Sequence, residues 1–155
     1  MAESIERSMS GPMWHGSSLA DLLGDVPAVD AAACPVAGAH SVWELVHHMA
    51  SWTEIVRQRL SPTAPPEPTP EQDWPPVRDQ SPEAWRSAIE RLKAAHRDLA
   101  HDVAALDDAV FDTSAPARDH TVATMLHGIV EHDAYHGGQI AVLKRALARM
   151  TPENL

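Results

Sequence analysis

His132 and His136 stand four residues apart in the run Glu131-His132-Asp133-Ala134-Tyr135-His136-Gly137-Gly138-Gln139-Ile140. On a helix that spacing brings two imidazoles to one side, about 40° apart and one turn displaced. Two neutral imidazoles so placed can converge on one metal ion, and histidine is the commonest metal ligand. The chain has 10 histidines, so such a pair gains meaning only from the face it occupies. Met125, Ile129, His132, His136, Ile140 and Leu143 recur at helical spacing and form one apolar, inward stripe. Leu45, His48, Met49, Trp52, Ile55 and Val56 form a second stripe of the same kind. Three histidines on two converging stripes need partners, because an unpaired buried polar group costs about 1–3 kcal/mol. One shared ion supplies all three. The expected site is a divalent ion held by His48, His132 and His136, with a position left for water or substrate, as in catalytic zinc sites.

Two other readings of the same residues fail on their own terms. The zinc-protease pattern H-E-x-x-H needs a glutamate directly after the first histidine, and Asp133 stands there instead. A His-Asp phosphohydrolase needs further ligands on several helices, and Asp133 points about 100° around the helix from His132. Around the expected ion, Gln139 lies one turn beyond His136 and is a candidate to hydrogen-bond a ligand or a bound substrate. His47 lies beside the site, about 100° around the helix from His48. His15 belongs to a segment able to reach the mouth. Glu44, Glu131 and Asp133 flank the ligands as candidate bases, and His96 falls on the apolar side of another helix as a core or pocket residue.

These residues have to be positioned by helices, since no segment reads as a strand. The first helix is expected over residues 3–24, broken at Gly11-Pro12, with Trp14, Leu19, Leu22 and Leu23 as an apolar face. The second opens at Ser41, whose Glu44 three residues on makes a capping box, and runs to residue 60. The third covers 81–105, opening on Ser81-Pro82. The fourth covers 121–149 and ends before Thr151-Pro152. Between the second and third lies Ser61–Gln80 with prolines 62, 65, 66, 68, 70, 75 and 76. At about 3.1 Å per residue an extended proline-rich segment can run the length of a 30 Å helix. It would then be a crossover that leaves the second and third helices parallel, and Trp74 near its end marks it as a strap that packs. The expected fold is all-α, a four-helix bundle in up-down-down-up order, as one domain over residues 1–155.

Composition narrows the function. Lys+Arg 12 against Asp+Glu 22 gives a net charge of −10, which disfavours nucleic acid and anionic membrane as partners. A single cysteine, Cys34, excludes an intramolecular disulfide framework and a cysteine-only zinc site. No apolar run reaches the ~20 residues of a membrane span, and Met1–Met9 holds no signal-peptide core. A soluble cytoplasmic protein is expected.

Ser41-Val42-Trp43-Glu44-Leu45-Val46-His47-His48-Met49-Ala50 resembles the second-helix motif of the DinB/YfiT-like metalloproteins. His132-Asp133-Ala134-Tyr135-His136-Gly137-Gly138-Gln139-Ile140 resembles their fourth-helix motif, H-x-x-x-H followed by G-Q-I or G-Q-L. Trp14-His15-Gly16 and Gly38-Ala39-His40-Ser41 are similar to segments of one branch. The resemblance implies a four-helix bundle, often a homodimer, holding one divalent metal through His48, His132 and His136, the three that the stripes select. It also implies a small-molecule substrate and a possible activity, transfer of a low-molecular-weight thiol to an electrophile, since an ion with an open position deprotonates a thiol. A metal-dependent hydrolase using an activated water is the alternative. A stress-related binding protein with a structural ion is a third reading. Zinc and nickel lead as the metal, with iron and manganese also compatible with three imidazoles.

Overall fold

The computed structural model describes residues 1–61, 63, 67–116 and 118–150. Among them the chain is all helical: α1 (Ala2–Ser10), α2 (Leu19–Leu23), α3 (Ala28–Ala32), α4 (Val42–Gln58), α5 (Pro70–Asp73), α6 (Pro82–Ala104) and α7 (Val122–Arg149), with a short 3-10 turn at Asp108–Val110. The prolines at 62, 65 and 66 and the Thr151-Pro152 stop lie outside the described residues.

The three long central helices begin where their capping residues stand. Ser41 Oγ accepts from Glu44 N at 3.2 Å while Glu44 Oε2 accepts from Ser41 N at 2.8 Å, the reciprocal pair that fixes the start of α4. Ser81 Oγ caps α6 through Ala84 N, with Pro82 at the first helical position, and Thr121 Oγ1 caps α7 through Thr124 N. Their apolar faces then bury Leu45, Met49, Leu92, Leu99, Leu126 and Ile140. Truncating any one of these to alanine should cost roughly 2–5 kcal/mol.

α4 and α6 run in the same sense, which the long crossover permits. Near their starts Trp43 packs on Trp85, with ring centroids 5.1 Å apart. Further along, Arg91 Nε donates to Glu54 Oε1 at 2.8 Å, and near the ends Arg57 Nε donates to Asp102 Oδ2 at 2.6 Å. α7 packs on α4 in the opposite sense, with Leu45 near Leu143 and Val56 near Met125. α1 closes the arrangement against both α6 and α7.

The first expected helix needs correction. Only residues 2–10 and 19–23 are helical in that stretch, and Trp14 is 98% exposed rather than inward. Gly11 allows the exit, since a Cβ there would meet Arg7 Cα at 2.8 Å, and Pro12 cannot donate to continue the ladder. Helix resumes at Ser18, which forms its own capping box with Asp21. α3, five residues that pack on α4 and α6, carries no strong period and was not expected.

The strap does pack, and for a stated reason. Its carbonyl oxygens have few strand or helix donors to meet, because proline has no N–H. One face of α4 supplies donors instead. His47 Nδ1 meets Pro75 O at 3.2 Å, His48 Nδ1 meets Asp73 O at 2.8 Å, and Ser51 Oγ donates to Gln72 O. Trp52 Nε1 donates to Asp73 Oδ1 at 2.7 Å. The short helix α5 sits inside this strap, capped by Thr69.

Candidate metal centre

His48 comes from the middle of α4, and His132 and His136 from the middle of α7, each on the inward stripe of its helix. His48 and His136 are buried and His132 is half-buried. Their Nε2 atoms meet: His132 Nε2 is 3.0 Å from that of His48 and 3.1 Å from that of His136.

The far nitrogens fix where the protons are. His48 Nδ1 faces the Asp73 carbonyl, with Asp73 Oδ1 3.2 Å away, so it carries the hydrogen. His136 Nδ1 donates to Gln139 Oε1 at 2.8 Å. Both rings therefore turn an Nε2 lone pair toward the same point. A single N–H on His132 could serve only one of them well, whereas one cation takes all three. Among the described residues His132 Nδ1 has no hydrogen-bond partner, and its ring is held by packing between Trp52 and His136.

The nitrogen separations fit an ion. Ligands at about 2.0–2.1 Å from one metal stand roughly 3 Å from each other. The protonation states fit as well, since ligation needs neutral imidazole. Burial holds all three rings below the ordinary histidine range. At His132 the neighbouring His136 and His48 add to burial, and its pKa is pushed down to about 4. Near neutral pH all three offer lone pairs.

Trp74, from the strap, stacks on His48 with centroids 3.8 Å apart, and His40 stacks on the other face of Trp74 at 3.7 Å. The strap thus sets the orientation of His48 twice, through the Asp73 carbonyl and through the Trp74 ring. Sequence gives Trp74 a packing role without a target, and gives Asp73 none. A short Thr-Pro-x-x capping signal ahead of Asp73 is the one mark that could have drawn attention to it.

Other expected site residues lie elsewhere. Both nitrogens of His47 are engaged, Nε2 accepting from Trp43 Nε1 at 3.0 Å and Nδ1 facing Pro75 O, so it latches the strap and has nothing left for a substrate. His15 is exposed and lines a separate cavity between α2 and α7. Gln139 orients His136 and also lines a cavity of about 480 Å3 with Tyr135 and His40.

Asp133 is the residue whose place the sequence does not reveal. It is 2% exposed and turned away from the triad, where Oδ2 accepts from Ser8 Oγ at 2.7 Å and lies 2.9 Å from His96 Nε2. Glu44 is occupied in its capping box, and Glu131 is exposed.

The model of the DinB superfamily matches residues 14–140, a range that holds the three-histidine cluster and the proline-rich strap behind it. The chain belongs to the DinB superfamily. No curated protein and no solved structure matches it. The superfamily match spans both histidine segments, and by their geometry His48, His132 and His136 could hold a metal ion. No described helix of this DinB-superfamily chain is long and apolar enough to cross a membrane.

Proposed function

We propose that this chain is a metal-dependent enzyme that transfers a low-molecular-weight thiol to an electrophilic small molecule. When bound, a divalent ion with an open position lowers the pKa of a thiol or a water and so supplies a nucleophile near neutral pH. His48, His132 and His136 would hold it, His48 oriented by Asp73 and Trp74 and His136 by Gln139.

The observation that carries the choice of thiol over water is where the flanking carboxylates point. Attack by water usually calls for a general base within hydrogen-bond reach. Glu44 is turned to Ser41, Asp133 faces away from the triad with Oδ2 on Ser8 and His96, Asp73 has Oδ1 on Trp52 and His48, and Glu131 is exposed. A thiol is acidic enough to need no such base once an ion binds it. The hydrolase reading would require one of these carboxylates to turn toward the ion. The reading of a stress-related protein with a structural ion would require the fourth position to be closed.

Zinc or nickel is the proposed metal. The contacts described above support the up-down-down-up order of a four-helix bundle, proposed as one domain over 1–155. A cytoplasmic homodimer completes the proposal, acting on a small molecule and not on nucleic acid or membrane, in keeping with the net charge of −10. Cobalt-substituted protein should change its visible spectrum on addition of a small thiol, and the metal-replete protein should form thioether from thiol and electrophile. An unchanged spectrum with millimolar thiol would rule the transfer reading out. Sedimentation at micromolar concentration tests the dimer, and a monomer removes it.

A further inference from the structure

On the other side of His132 a cavity of about 330 Å3 opens between the last turns of α4 and the first turns of α7. Trp52, Val56, Met125 and Ile129 make most of its wall apolar, His132 stands at one end and Arg59 at the other. Arg59 is an unusual residue to find there. Its side chain is 7% exposed, and its guanidinium carbon lies 5.4 Å from the centroid of the Trp52 ring. Its Nη2 donates to Glu67 Oε2 at 3.0 Å, while its Nε–H is buried with no hydrogen-bond partner among the described residues. Glu67 is 70% exposed and also pairs with Arg118 at 3.0 Å, so its charge is shared and screened by solvent.

A buried guanidinium is costly unless its donors are met and its charge is paired. Here one donor is unmet, the pairing is partial, and the group lines an apolar cavity that ends on a candidate metal ligand. A carboxylate matches what is missing, because it accepts the fork of arginine N–H groups without needing further cations.

We infer that this cavity receives the acid end of the substrate: Arg59 binds the carboxylate of a small organic acid whose apolar or aromatic body lies on Trp52, Val56, Met125 and Ile129, with its other end toward His132. The assignment rests on the proposed metal centre only for the direction in which the reactive end points.

The test uses the full chain and two probes of one shape, benzoate and the neutral benzamide, titrated calorimetrically into metal-free and metal-loaded protein. Wild type should bind benzoate more tightly than benzamide in both forms. Arg59→Met should weaken benzoate roughly 10–100-fold, the change expected for a charge-assisted hydrogen bond, and leave benzamide and metal content as they were. Gly128→Leu tests the same cavity without touching the buried arginine. Gly128 lines it, and a Cβ there would meet nothing within 4 Å, so leucine should fill the space and abolish both probes while metal is retained. Equal benzoate affinity in wild type and Arg59→Met overturns the inference. So does benzoate binding that is lost in His132→Ala but kept in Arg59→Met, since the carboxylate would then sit on the ion. If the chain takes up no metal yet binds benzoate through Arg59, the acid site stands and the metal reading falls.

Discussion

His132 and Asp133 are neighbours in sequence and stand in opposite environments. His132 joins a cluster whose nitrogens converge on one point, and its Nδ1 has no hydrogen-bond partner among the described residues. Asp133, about 100° around the same helix, joins α1 and α6 through Ser8 and His96. Both ring nitrogens of His96 face oxygen acceptors, Leu92 O at 2.9 Å and Asp133 Oδ2 at 2.9 Å, so the imidazolium form satisfies both. Burial lowers the pKa of His96, and the hydrogen bond and charge of Asp133 outweigh it and raise the pKa above the ordinary value. At His132 burial acts with like neighbours and the pKa falls. Burial lowers the pKa of both rings, yet His96 on one side of α7 ends above the ordinary value and His132 on the other below it, and the deciding factor is whether a carboxylate or more imidazole lies next to it. Asp133 ties α7 to α1 and α6, whereas His132 belongs to the group that could hold a metal ion.

The largest way to break this contrast is to remove Asp133. Asp133→Ala leaves His96 buried without its partner and should cost roughly 3–5 kcal/mol in chemical denaturation, with metal stoichiometry unchanged. His96→Leu combined with Asp133→Leu should recover most of that loss, because apolar side chains of similar size replace a buried pair at little cost. A loss of metal equal to the loss of stability would mean that the two faces are one unit.

Acid separates the faces next. The folded pKa of His132 lies near 4, below the unfolded value of ~6.5, so between those values the unfolded chain binds more protons. Metal-free protein should lose roughly 2–3 kcal/mol as pH falls from 6.5 toward 4, followed by urea midpoint. His96 has the opposite sign. Its raised pKa contributes stability that is complete below ~6.5 and is lost as pH rises through its folded value. His132→Gln should flatten the acid limb and His96→Gln the alkaline one.

How much of this was legible in the sequence follows from range. Ser41, Glu44, Ser81 and Thr121 act on residues three positions away, so their caps can be read directly from the chain. The two apolar stripes are local as well, and they select His48, His132 and His136. Asp133, Trp74 and Asp73 depend on partners 21 to 125 residues distant. Helical angle says that Asp133 leaves the triad's face but not that α1 brings Ser8 to meet it. Trp14 was misread because an apolar residue inside a broken helix looks inward until the break is placed.

Smaller effects sharpen the difference between His47 and His48. His47→Ala strips partners from Trp43 Nε1 and Pro75 O and should cost about 1–2 kcal/mol while leaving metal content near wild type. His101→Ala, at an exposed position of α6, should change stability by less than about 0.5 kcal/mol and metal content not at all.

The most direct measurement is metal content by elemental analysis of purified wild type, His48→Ala, and the His132→Ala, His136→Ala double variant, each loaded with zinc or nickel and desalted. The wild type should hold one divalent ion per chain, His48→Ala far less, and the double variant none, with all three still helical by circular dichroism. Full retention of the ion in the double variant would contradict the site and the thiol-transfer reading together.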